Sequence, residues 1–250
     1  MQYTGDDTDG TVTDPARRAL MHEAACVAAS WAASGALPAL AASSASRRHA
    51  RTLLVEPFGA PFKASTLKPG QPQLFNYPFA ASPVFLLALE REVGATNDLA
   101  TEAKQRYAAP AGVGPMRSIV AFSAICAHKL MYPTPQISFI GVRKGIGAEP
   151  AQVIHCCGDQ SRYDPAAGAR VIGGPARQPL AAVILEYDAK TDQLHAVGTQ
   201  GGEVFDAFFE KYAFKLQTEL GARARAASGA TAVVQPASAY SKQWQSCKVA

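Results

Sequence analysis

Cys126-Ala127-His128 and, downstream, His155-Cys156-Cys157-Gly158-Asp159-Gln160-Ser161-Arg162-Tyr163-Asp164 are the stretches whose reading decides the fold. Each follows a segment read as a strand, Ile119-Val120-Ala121-Phe122 for the first and residues 151–155 for the second. Thiol, imidazole and carboxyl groups on two loops at strand ends are the side-chain types that ligate transition metals. Outward from these loops, further strands are read at residues 52–55, 73–77, 84–89, 118–122, 136–142, 169–172, 180–188 and 193–197. Residues 73–77 alternate polar and apolar side chains, as a half-buried strand does, whereas 84–89 is a continuous apolar run and reads as a buried strand. Many short strands separated by Gly and Pro signals predict an all-β sandwich or small barrel.

Two regions depart from that pattern. Residues 94–115 read as a surface excursion with a short helix around 98–107. Beyond Gly202, Phe205, Phe208, Phe209, Tyr212 and Leu216 recur at helical spacing, which predicts an amphipathic helix over about 204–220, its apolar face on the β-domain. Residues 226–250 are small and polar, with Tyr240 and Trp244 as isolated anchors, and read as an extended arm that orders on a partner. The organisation expected is 1–41 as a signal or anchor, 42–66 as linker and first strand, 67–203 as the β-domain, 204–225 as the helix and 226–250 as the arm.

The chain has 250 residues, a mild net charge of +4 and no Lys/Arg run that would mark a nucleic-acid footprint. Its acidic residues form no pair of the kind used in glycoside or peptide hydrolysis, and no phosphate-binding Gly-rich loop or serine-nucleophile motif occurs. Arg17-Arg18 before an Ala-rich stretch from 24 to 40, with Ala39-Leu40-Ala41 as a cleavage pattern, predicts export by the twin-arginine route to the periplasm. Five cysteines are too few for a disulfide scaffold of this size. Cys26 falls in the signal and Cys247 near the C-terminus, so Cys126, Cys156 and Cys157 carry the chemistry.

From Leu67 to about Val204 the sequence resembles the Rieske [2Fe–2S] proteins, most closely the small subunit of arsenite oxidase. Four blocks carry the resemblance: Leu67-Lys68-Pro69-Gly70-Gln71-Pro72 with Phe75-Asn76-Tyr77-Pro78; Ile119 to His128; Ser161-Arg162-Tyr163-Asp164-Pro165; and Gly173-Gly174-Pro175-Ala176-Arg177-Gln178-Pro179-Leu180. In that family two cysteines hold one iron and two histidines the other. The resemblance implies that Cys126 and Cys156 bind one iron and His128 the second. It also implies that Ser161 and Tyr163 donate hydrogen bonds to cluster sulfur, and that the loop around Pro175 covers the cluster.

This chain departs from the family at three points. Met131 and Gly158 stand where many exported members carry a loop-bridging disulfide, so that bridge is expected to be absent. Gln160 replaces a usual Gly. Asp159 stands in the position of the second histidine, and four readings of that loop compete. Asp159 completes the ligand set; or a shifted loop offers Gln160; or His155 or Cys157 is recruited; or the fold carries no cluster, with the cysteines left as relics or holding zinc. The resemblance implies an electron-transfer subunit in an exported hetero-oligomeric oxidoreductase. A large redox subunit such as a molybdenum oxidoreductase would be its partner, with cytochrome c or a quinone-linked carrier next in line. The alternative is a cluster-free, degenerate Rieske-fold subunit that binds partners structurally.

Overall fold

The structure, a computed structural model, describes residues 46–247; the signal or anchor expected over 1–41 lies outside the described residues. The strands are β1 (Ser46–Val55), β2 (Gln73–Asn76), β3 (Pro83–Ala88), β4 (Thr96–Ala100), β5 (Arg106–Ala109), β6 (Ile119–Ser123), β7 (Ile137–Ser138) and β8 (Ile140–Lys144). They continue with β9 (Gln152–Cys156), β10 (Ser161–Asp164), β11 (Arg170–Gly173), β12 (Ala182–Asp188), β13 (Gln193–Gln200), β14 (Thr231–Val233), β15 (Gln235–Pro236) and β16 (Gln243–Trp244). Among the described residues, three helices, α1 (Phe205–Lys211), α2 (Ala213–Leu220) and α3 (Ala237–Tyr240), accompany the strands beside three short 3-10 turns. The all-β expectation holds, and no helix among the described residues is long and apolar enough to cross a membrane.

Eight strands form one sheet in the order β14-β1-β13-β12-β6-β3-β2-β15. Its two edge strands, β14 and β15, are separated in sequence by Val234 alone, so the sheet must curl until its edges meet, giving a nearly closed barrel. The apolar run of β3 explains itself here. Val84 and Leu86 point into the barrel with Leu54, Phe75, Val183 and Leu194, while Phe85 and Leu87 face a second core shared with Ile140, Ile154, Cys156 and Tyr163. A strand buried on both faces has no polar alternation to show.

The second core joins the barrel to a four-stranded sheet of order β11-β10-β9-β8, which carries the second loop of interest. Helices α1 and α2 cover a third cluster, with Phe205, Phe208, Phe209 and Leu216 packed on Ala81 and Ile125 beside the first loop. The single helix expected from the spacing is divided at Tyr212. Its ring meets Tyr132 at 4.9 Å and Phe208 at 5.5 Å, so the break keeps the aromatic stripe against the domain.

Three expectations need correction. Residues 98–107 are not helical but lie in the β4–β5 hairpin, because Leu99, Tyr107 and Ala109 bury one another across it. The first described strand runs from Ser46 rather than from Thr52: Ser46, Arg47 and Arg48 pair with Gln200, Thr199 and Gly198, so backbone pairing extends β1 through residues with no apolar signal. The C-terminal segment is not a free arm. It supplies β14 parallel to β1, β15 antiparallel to β2 and β16 parallel to β7, and so closes the barrel of its own domain.

Candidate metal centre

The first loop leaves β6 and turns back at once: Cys126 N–H donates to Met131 O at 2.8 Å and Leu130 N–H to Cys126 O at 3.0 Å. The turn holds Cys126 in the core and lets His128 project, its side chain 37% exposed. The second loop is the tight β9–β10 turn, with Cys156 opposite Ser161 and Gln160 N–H donating to Cys156 O at 2.8 Å. The third runs from Gly173 to Leu180 and docks on the second, where Ala176 N–H donates to Ser161 Oγ at 3.2 Å. Gly174 has φ +84°, and a Cβ there would lie 2.4 Å from Gln160 O, so only glycine allows this approach.

Of the residues implied by the resemblance, Cys126, Cys156 and Asp159 converge, with their donor atoms all within 4.8 Å of one another. Asp159 is buried, its side chain 1% exposed. Its Oδ2 accepts from Cys126 Sγ at 3.3 Å and lies 3.0 Å from His128 Nδ1, while Oδ1 accepts from Ser161 N–H at 2.9 Å. Tyr163, fully buried, has its hydroxyl 3.4 Å from Cys126 Sγ and accepts from Ala127 N–H. Ser161 is buried behind the loop, and Pro175 is exposed on the covering loop.

The electrostatics follow from this crowding. The hydrogen bond from Cys156 lowers the Cys126 thiol to about 7 against the upward push of burial, helped by Tyr163 and by the backbone at His128 and Lys129. Cys156 is pushed up, first because it donates to Cys126 and then by burial. Burial pushes Asp159 up, yet the Ser161 N–H, the Cys126 thiol and His128 together outweigh it and hold the carboxyl below its usual range. A protonated Cys126 can donate to Asp159, whereas a deprotonated one would face a carboxylate at 3.3 Å. A cation among these groups would relieve that repulsion, and the two free, buried thiols with a carboxylate and an imidazole beside them suit an iron centre.

The competing readings of the second loop separate in the geometry. Gln160 turns away from the centre, its Oε1 3.1 Å from His155 Nε2, and His155 Nδ1 accepts from Arg143 Nε at 2.9 Å. Neither is aimed at Cys126. Cys157 is bonded to Cys247 across 90 residues, which corrects the expectation that it is a free site thiol. A zinc site that counts Cys157 among its thiolates goes with it. Gly158 and Met131 do lie against each other, as a Cβ on Gly158 would sit 3.0 Å from the Met131 side chain.

The sequence reading also missed an ion network behind the loop. Glu149 accepts from both Arg143 nitrogens at 2.6 and 3.0 Å and from Arg162 at 2.8 Å. The side-chain bond of Arg143, opposed by burial and aided by Ile146 N–H and Arg162, lowers the Glu149 carboxyl to about 2. His49, expected in a linker, is on β1 beside Thr199 and Glu203.

The barrel, its attached four-stranded sheet and the paired loops together form the scaffold of this candidate metal centre. Over 139 residues the chain is 29% identical to iodate reductase subunit IdrB of Denitromonas iodatirespirans, a match covering 56% of this chain and 60% of that one. The chain thus spans less than two thirds of that relative's length. It is also similar to the soluble domain of the Rieske protein II from Sulfolobus acidocaldarius, at 29% identity and a TM-score of 0.44, covering 60% of this chain and 78% of that one. No family model matches.

Proposed function

We propose that this chain is the electron-transfer subunit of an exported oxidoreductase complex, with a Rieske-type [2Fe–2S] centre held by Cys126, Cys156, His128 and Asp159. The observation that carries this reading is the convergence of two buried free thiols on a buried carboxylate that also meets the partly exposed imidazole of His128. A bound cluster would supply one-electron chemistry. Replacing one imidazole by a carboxylate adds negative charge, which favours the oxidised form and lowers the potential. The chain's own residues do the rest. Tyr163 directs its hydroxyl at Cys126 Sγ, the buried core excludes water from the thiol side, and His128 gives the centre its route to the surface.

Similarity to an iodate reductase subunit supports a place in a redox complex. The large partner, a molybdenum oxidoreductase on the sequence resemblance, and cytochrome c or a quinone-linked carrier as the next station are part of this proposal. Periplasmic location is supported by the twin-arginine pattern and by the Cys157–Cys247 bridge, which is stable in an oxidising compartment.

A second reading has its own observation. Asp159, Cys126, His128 and Ser161 satisfy one another's hydrogen bonds without a metal, as a degenerate fold kept for partner binding would require. Iron and acid-labile sulfide assays on anaerobically purified wild type, Cys126→Ser and Asp159→Ala separate the two. The carrier has two irons per chain, lost in Cys126→Ser; a colourless wild type that still binds its partners would make it a scaffold.

A further inference from the structure

The second loop carries two adjacent cysteines, and burial along β9 does not by itself decide which of them faces inward. All five residues of β9 are buried. Ile154 and Cys156 belong to the core layer, while His155 is held on the other face by Arg143 and Gln160. A strand with both faces covered has little burial preference for its register, and a slip of one residue exchanges the faces. Such a slip would turn Cys157 inward in place of Cys156 and carry Asp159 away from Cys126.

We infer that the Cys157–Cys247 disulfide is the register lock of this loop, which selects Cys156 over its neighbour as the inward thiol. Its far end is fixed independently of the loop. Gln243 and Trp244 pair with Ile137 and Ser138, and Trp244 Nε1 donates to Ala237 O at 2.9 Å. Ser241 Oγ donates to Thr134 O at 2.6 Å, and Tyr240 Oη to Asn76 Oδ1 at 2.8 Å. Gly141 makes room for the strap, since a Cβ there would lie 3.1 Å from the Trp244 ring. With Cys247 held at the outer face, the bridged Cys157 cannot rotate inward, and its N–H is tied to Phe139 O at 2.6 Å. The lock is a property of the loop itself; only its consequence for ligand choice rests on the donor role proposed above for Cys156.

The test uses metal-free, full-length protein in three forms: oxidised, reduced while folded with a water-soluble phosphine, and Cys247→Ser. Reduction delivers two electrons to the S–S bond; water supplies two protons to the thiols and its oxygen to the phosphine. Brief iodoacetamide pulses, mapped by mass spectrometry, read each cysteine, and circular dichroism confirms the fold. In oxidised protein Cys156 labels slowly. Opening the bridge should raise its labelling at least about tenfold while Cys157 becomes partly protected, as the two exchange places. Cys157 labelling freely while Cys156 stays as protected as before would overturn the lock. The reduced wild type answers the question even if Cys247→Ser fails to fold. Cadmium added to the oxidised form tests the donor reading separately: absence of a thiolate-to-cadmium absorption band would count against the metal centre and leave the lock standing.

Discussion

Cys247→Ser should destabilise this domain more than any other change of one exposed or half-exposed residue. The bridge joins residues 90 apart, and the loop-closure entropy it removes from the unfolded chain amounts to about 4.6 kcal/mol at 25 °C. The folded state keeps the non-covalent contacts of the strap, among them the β16–β7 pairing and the Trp244 hydrogen bond. The loss should therefore fall almost wholly on the unfolded side, and the slope of the urea transition should rise as the freed chain expands. Urea unfolding of oxidised wild type against Cys247→Ser measures both. A stability change below about 1 kcal/mol, with an unchanged slope, would refute the reasoning and show that the unfolded chain is already compact there.

Other changes probe the loops one contact at a time. Glu149 has its carboxyl lowered from 4.5 to about 2. Its contribution, about 1–2 kcal/mol once screening by solvent is allowed for, is fully present above pH 4.5 and is lost as pH falls towards 2. Glu149→Gln should flatten that part of the acid-unfolding curve, and parallel curves would contradict it. Gly174→Ala places a Cβ 2.4 Å from Gln160 O at a φ of +84°, for a loss of about 2–4 kcal/mol by thermal or urea unfolding; a loss under about 1 would mean the third loop does not rest on the second. Tyr163→Phe removes the hydroxyl at Cys126 Sγ and should lower the midpoint potential of the loaded protein in a redox titration. An unchanged or raised potential would show that this hydroxyl does not act on the centre.

The sequence was most informative where burial leaves a periodic mark. β3, β6 and β12 announce themselves as apolar runs, and the stripe from Phe205 to Leu216 announces a helix. It was silent where backbone pairing or covalent closure decides. Ser46 to Arg48 are strand because β13 pairs with them, not because of their side chains. Likewise Thr231–Val233 and Gln235–Pro236 become strands only because the barrel needs its edges joined across Val234.

Within the site, the resemblance to the Rieske proteins implied Cys126, His128, Cys156, Ser161, Tyr163 and, on the covering loop, Pro175, with Asp159 as one reading of the altered position; the structure gathers all of these but Pro175 at the two facing loops. The partner of Cys157 was not legible, because 90 residues separate the two and no local pattern records a bridge. A signal did exist: with one of two adjacent cysteines assigned to the proposed centre, the other and Cys247 are left to pair. The Arg143–Glu149–Arg162 network left no such trace, since charges on a hairpin read as solvated until the fold stacks them.

Electron paramagnetic resonance of dithionite-reduced, anaerobically purified protein, with iron quantified in the same sample, tests the central claim most directly. The account predicts a rhombic signal with average g below the free-electron value, from about two irons per chain, lost in Cys126→Ser. A folded, partner-binding protein with no signal and no iron would contradict it, and would leave Asp159, Cys126 and His128 as a hydrogen-bonded plug in a fold without a cluster.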